Sequence, residues 1–304
     1  MRYIRQESII SNLKNKTVSI VGVGALGTYA ASLLARAGIN LILIDHDIVQ
    51  LDNLQRQALF DEKDINELKV IAAKKKLKKI NSEIKIKTYA KHLDSINAKI
   101  LKSDLILDCT DNFETRRVVD KFCKNNNILW IHAAATNIIG NVLVVDKNVC
   151  FDCIYHSNID KTCDTDGILN SLISLVSSIQ VTQAYKILTR KDYSKNLIHI
   201  NIWNNKIDEI KLPKKINCKH EYEENDKIYE IEQCLTKNIY KVKPLTKVSL
   251  DFDKIKTNFE VILDKSIVLV LLYNDQKIIV HKYGGIEFYT NDLKIVKKLV
   301  KKIY

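Results

Sequence analysis

The alternation of apolar and polar positions is sharpest between Thr17 and Asp45. An apolar run (Val18 to Val21) meets three glycines (Gly22, Gly24, Gly27), then a small-residue run (Thr28 to Ala37), then a second apolar run closed by an acid. Short apolar runs bounded by turn residues predict buried strands, and the longer run between them predicts a helix. Strand, glycine turn, helix, strand and carboxylate present a nucleotide phosphate to a helix N-terminus, where backbone N–H groups and the helix dipole favour an anion. One glycine makes the turn, one admits the phosphates, and Gly27 lets helix and strand pack closely. Asp45, 18 residues beyond Gly27, stands where an acid binds a ribose hydroxyl. This pattern alone fits a dehydrogenase and an ATP enzyme equally.

The same alternation continues downstream. A polar stretch (Asp47 to Asp64) precedes a Lys-rich helix over Leu68 to Ile80, a strand over Ile84 to Tyr89, a short helix over Ile96 to Leu101 and a strand over Leu105 to Asp108. A helix over Phe113 to Asn126, strands over Ile128 to Ala134 and Asn141 to Asp146, a helix over Leu169 to Leu188 and strands over Leu197 to Trp203 and Ile207 to Leu212 follow. Alternating strands and helices predict an α/β fold with a doubly wound, mostly parallel, Rossmann-like sheet. The loop Asp108-Cys109-Thr110-Asp111-Asn112 then faces the crevice of the glycine turn. A hydrophilic stretch beyond Cys218 reads as a linker, dividing the chain into residues 1–221 and a small α+β domain, residues 222–304.

Composition changes this picture little. The net charge is +12, but the densest lysine clusters (Lys74 to Lys79, Lys297 to Lys302) lie within helical patterns backed by Leu, Ile and Val. They read as solvated helix faces, and without interleaved aromatics they argue against a nucleic-acid platform. Neither an apolar leader nor a membrane-length apolar run is present, so a cytoplasmic protein is expected. The seven cysteines, a close pair (Cys150, Cys153) and singles, point to metal or thiol chemistry rather than disulfides.

Asn53-Leu54-Gln55-Arg56-Gln57 and Asp108-Cys109-Thr110-Asp111-Asn112 together resemble the ThiF/MoeB family of ubiquitin-activating-like adenylyltransferases. Further matches are Arg2-Tyr3-Ile4-Arg5-Gln6, the glycine turn, Cys150-Phe151-Asp152-Cys153, and Cys163 ahead of Gly167-Ile168-Leu169. The resemblance implies ATP-dependent adenylation of the C-terminal glycine of a ubiquitin-fold carrier ending in Gly-Gly, with Mg²⁺. It assigns Asn53, Arg56, Lys69 and Asp111 to ATP and Mg²⁺, and Asp45 to the ribose. It also implies a homodimer in which Arg5 reaches into the partner's site. A structural Zn²⁺ is expected on Cys150, Cys153, Cys218 and His220, with Glu221 as the alternative fourth ligand. Cys163 is expected to accept the acyl group or sulfur, with a sulfurtransferase as a further partner. The rival expectation is a superfamily member that adenylates another carboxylate or acts on a modified tRNA nucleoside.

Overall fold

The computed structural model describes residues 2–11, 13–155, 167–212, 229–234, 239–244 and 248–304. They fall into two compact units, one holding the elements up to residue 212 and the other those from residue 229. The expected boundary at residues 221/222 lies outside the described residues.

The first unit opens with a short helix, α1 (Ile4–Glu7), ahead of β1 (Thr17–Val21), α2 (Ala25–Arg36) and β2 (Asn40–Asp45). Then come α3 (Lys69–Ile80), β3 (Ile86–Ala90), β4 (Leu105–Asp108), α4 (Phe113–Asn126), β5 (Trp130–Thr136) and β6 (Ile139–Val145). A single turn, α5 (Phe151–Ile154), precedes α6 (Asn170–Leu188), β7 (Leu197–Asn201) and β8 (Lys206–Ile210). The eight strands form one sheet in the order β3-β2-β1-β4-β5-β6-β7-β8. Pairing is parallel from β3 to β5 and antiparallel from β5 to β8.

Both faces of the parallel part are covered, which is why its strands are apolar at successive positions rather than at alternate ones. Ile20, Leu41, Leu43, Leu105, Leu107 and Ile131 belong to the core under α2, α3 and α6. Their neighbours Val21, Ile42, Ile44, Ile106 and Trp130 belong to the core under α4 and α5. Gln180 on α6 donates to the carbonyls of Asp108 (2.9 Å) and Ile131 (3.0 Å), stitching β4 to β5 from one face.

The helix expected over Ile96 to Leu101 is a 3-10 turn, Ala98–Leu101. The Asp94 carboxylate accepts the N–H groups of Ile96 and Asn97, and Asn97 donates back to the His92 carbonyl. Such side-chain bonds compete with helix formation. Cys109 and Cys123 are buried in the two cores, and burial raises both thiols well above their ordinary range.

The second unit contains β9 (Tyr229–Cys234), β10 (Ile239–Pro244), α7 (Phe252–Lys256), β11 (Glu260–Lys265), β12 (Val268–Tyr273), β13 (Gln276–His281), β14 (Ile286–Phe288) and α8 (Leu293–Ile303). The strands pair antiparallel in the order β11-β12-β13-β14-β10-β9. Val296, Leu299, Val300 and Ile303 of α8 pack into the core with Leu269, Leu271, Ile278, Val280 and Phe288. The lysines of α8 face outward. No helix among the described residues is long and apolar enough to cross a membrane.

Candidate functional site

The strand order reverses direction at β1, between β2 and β4, so the loops leaving these three strands converge on one crevice. Gly22 donates to the Ile44 carbonyl (2.9 Å), and Cys109 donates to the Val21 carbonyl (2.8 Å). Gly22 has φ +86°, and a Cβ there would stand 2.6 Å from the Cys109 carbonyl oxygen. A Cβ on Gly27 would stand 2.0 Å from the Gly22 carbonyl oxygen. Both glycines are therefore required by the protein's own packing. Gly24, the residue capping α2, differs: a Cβ there would meet only Gln57 Nε2, at 3.8 Å. Among the described residues, nothing else comes within 4 Å of that position.

Asp45 braces this turn. Its Oδ2 accepts the Val23 N–H (2.6 Å) and its Oδ1 the Asp47 N–H (2.8 Å). Asp47 in turn receives the Lys69 ammonium at 3.0 Å. Lys69 is buried, and burial by itself would favour its neutral form. The carboxylates of Asp47, Asp45 and Asp111 outweigh that and keep its pKa above the ordinary lysine value. A fixed cation is thus held beside the glycine turn, with Asp111 in its field.

Asn53 is buried and held by its own turn, its Oδ1 accepting from the Gln50 N–H (3.3 Å). Arg56 lies nearby in sequence, half-buried, its guanidinium donating to the Asp52 carbonyl (2.7 Å). Asp111 is exposed. The cap of α4 is the adjacent Asn112, which accepts the Thr115 N–H (2.9 Å). Asp111 is therefore free of the capping role that its position before a helix could have given it. An exposed carboxylate in the field of Lys69 fits the chemistry of Mg²⁺, which takes one or two carboxylates together with phosphate oxygens.

Arg5 is not brought to this crevice. Around it, Arg2 donates to the Ile80 carbonyl (2.9 Å), Gln6 to the Ala37 carbonyl (3.3 Å), and the Asn81 amide to the Tyr3 hydroxyl (2.8 Å). These anchors lie at the far end of α2, whose 12 residues span about 18 Å. Cys150 caps α5 and Cys153 lies within its single turn, and Phe151 between them packs on Trp130 and His132, with ring centroids 5.3 and 5.1 Å apart. Cys163, Cys218, His220 and Glu221 lie outside the described residues.

Beneath the Asp111 loop is a buried polar network that the sequence did not announce. Asp108 is fully buried, and the β4–β5 register sets it beside His132. Its Oδ1 accepts the Thr110 N–H (3.0 Å) and hydroxyl (2.6 Å). Its Oδ2 meets His132 Nδ1 (2.8 Å) and Arg116 Nε (3.3 Å). Arg116 Nη2 also donates to the Thr110 carbonyl (2.5 Å). The one signal in the sequence is a single histidine in an otherwise apolar strand.

Burial holds the His132 pKa below its ordinary value of 6.5, with Arg116 acting in the same direction against Asp108. The unfolded chain therefore takes up this proton at a higher pH than the fold does, and stability falls as pH drops below about 6.5. Burial would raise the Asp108 pKa, but Arg116, His132 and Thr110 together lower it. Its contribution is lost on further acidification. The slope of unfolding free energy against pH is expected to gain up to about 1.4 kcal/mol per pH unit from His132. Chemical denaturation between about pH 5 and 8 checks this: His132→Asn should flatten the profile, and equal slopes for both proteins would refute it.

The ThiF family profile matches residues 2–220. The "Sulfur carrier protein ThiS adenylyltransferase" of Bacillus subtilis is 32% identical over 226 residues, covering 69% of this chain and 67% of that protein. The "Molybdopterin-synthase adenylyltransferase" of Haemophilus influenzae is 36% identical over 231 residues, covering 70% of this chain and 95% of that protein. Among solved structures, E. coli MccB crystallised with AMPCPP and MccA superposes with a TM-score of 0.61 at 25% identity, covering 68% of this chain and 66% of that one. The chain belongs to the ThiF family, and by kind it is an adenylyltransferase.

Proposed function

We propose that this protein activates the C-terminal glycine of a ubiquitin-fold sulfur-carrier or modifier protein as an acyl-adenylate. A carboxylate oxygen of the carrier bonds to the α-phosphorus of ATP, the bond to the β-phosphate oxygen breaks, and pyrophosphate leaves. The observation that carries this is the grouping of the glycine turn at Gly24, the charged Lys69 and the exposed Asp111 in its field. Bringing two anions together needs such cationic compensation. Asp111 would hold Mg²⁺, which supplies positive charge to the triphosphate. Lys69 and Arg56 would neutralise phosphate oxygens, Asn53 would orient the nucleotide, and Asp45 would receive the ribose.

Arg5 is assigned to the site of a second copy, forming a homodimer. Its anchoring far from its own crevice supports this, as do the exposed apolar residues Ile4 (59%) and Ile9 (69%) beside it. Cys163 is proposed as acceptor of the acyl group or sulfur, supplied by a sulfurtransferase. Cys150 and Cys153, with Cys218 and His220 or Glu221, are proposed to hold a structural Zn²⁺. The pair's placement on one turn supports the first half of that set, because adjacent thiolates can meet one tetrahedral ion. Residues 222–304 form the proposed second domain, and the enzyme is assigned to the cytoplasm.

The likeness to MccB, which is not named for a sulfur carrier, supports a second reading in which another carboxylate is adenylated. ATP–pyrophosphate exchange separates the two. Exchange is expected with one ubiquitin-fold protein ending in Gly-Gly from the same genome. Exchange with none of them, despite ATP binding, would turn the reading to another carboxylate or to a tRNA nucleoside.

A further inference from the structure

We infer that His132, in the interior of the sheet, is a positioning residue for the metal-binding carboxylate of Asp111. The inference rests on the proposed assignment of Asp111 to Mg²⁺. His132 touches neither Asp111 nor the crevice in the described contacts; it acts through Asp108 and Thr110.

Thr110, the residue before Asp111, is clamped on both sides of its peptide group. Its N–H and hydroxyl donate to Asp108 Oδ1, and its carbonyl accepts from Arg116. Asn112, the residue after Asp111, is fixed as the α4 cap. Asp111 is thus a short exposed span between two fixed points, in contact with Asn112 Nδ2 at 3.4 Å. The clamp is only as rigid as Asp108. That carboxylate is fully buried, and its Oδ2 has one hydrogen bond among the described residues, from His132 Nδ1. The neighbouring Arg116 Nε lies at 3.3 Å without hydrogen-bonding geometry.

Without His132, Oδ2 would remain buried with a charge but no hydrogen bond. Arg116 is the group able to relieve that, and turning toward Oδ2 means releasing the Thr110 carbonyl. The histidine ring is itself fixed, edge-on to Tyr155 (4.9 Å between centroids) and Phe151 (5.1 Å). Its Nε2 is buried without a partner among the described residues. The ring's polar role in the fold is therefore concentrated at Nδ1. Outer partners that orient metal-binding carboxylates typically change metal affinity 10- to 100-fold when removed.

The test reads metal binding directly. Mn²⁺ affinity in the presence of AMPCPP is measured from the free-ion electron paramagnetic resonance signal. The proteins are the full-length wild type, Asp111→Ala, His132→Ala, His132→Asn and the Asp111→Ala/His132→Ala double variant. His132→Ala is expected to weaken Mn²⁺ binding by up to about 10-fold, the lower end of the range for partners that touch a ligand directly, and His132→Asn to keep the wild-type affinity, because its amide reaches Asp108 as Nδ1 does. The double variant should bind no more weakly than Asp111→Ala alone.

Where His132→Ala does not fold, His132→Gln replaces it: its amide matches the Nε2 position, and it should fail where asparagine succeeds. A melting temperature lowered by His132→Ala with Mn²⁺ affinity intact, beside a weakened Asp111→Ala, overturns the positioning role alone. Unaltered affinity in Asp111→Ala overturns the metal assignment and this inference with it.

Discussion

Replacing Asp111 by alanine is expected to reduce carrier-dependent ATP–pyrophosphate exchange on the order of a thousandfold, the scale seen when a charge-stabilising group is removed from a transition state. The melting temperature should hardly move. Asp111 is exposed and the cap of α4 belongs to Asn112, so truncation creates no cavity and leaves no buried group unpaired. Cys163→Ala should leave exchange intact, because the role proposed for the thiol begins only after the adenylate exists. Exchange lost equally in both variants would refute this division of labour.

The second large effect is on folding. Gly27→Ala should destabilise the first unit by about 3 kcal/mol or more, beyond the usual cost of overpacking. Its Cβ would lie 2.0 Å from the Gly22 carbonyl oxygen, which is backbone and cannot swing aside. Gly22 cannot retreat either, since its own Cα already faces the Cys109 carbonyl. Gly24→Ala is the control, because its Cβ meets nothing closer than 3.8 Å. It should fold, with a melting temperature lowered far less than that of Gly27→Ala, by an amount set by its N-cap position and its φ −94°, ψ −139° backbone. It should also bind ATP more weakly, since the methyl group would enter the proposed phosphate space. Thermal denaturation of the two variants side by side decides the matter; a Gly27→Ala protein as stable as the Gly24→Ala protein would refute the packing argument.

The glycine turn, β1 to β4 and the flanking helices were legible because parallel strands covered on both faces are apolar throughout and stand out from their loops. In the second unit, individual strands are harder to read from the sequence. β11, Glu260-Val261-Ile262-Leu263-Asp264-Lys265, breaks alternation with charges at both ends, and its extension comes from pairing with β12 rather than from its own preference. Within the site, Gly24 was expected from the glycine spacing and Lys69 and Asp111 from the family resemblance, and Lys69 lies in the field of Asp45, Asp47 and Asp111. Asp47 was not expected, because its polar stretch has no period; its role depends on Lys69, 22 positions away. His132 and Arg116 were hidden for a different reason. A histidine in an apolar strand declares itself only when register sets it beside Asp108.

The two backbone bonds made by Asp45 bear on how this crevice could change its ligand. An acid at the end of β2 is the natural place to alter nucleotide preference, yet here it joins the glycine turn to the segment carrying Asp47. A substitution that removed the acid would free Val23 and Asp47 together and loosen the seat of Lys69. On the proposed assignment, recognition of the ribose and the architecture of the turn share one carboxylate. Divergence of ligand preference at position 45 therefore requires a compensating strut first, and the easier evolutionary route runs through the residues around it.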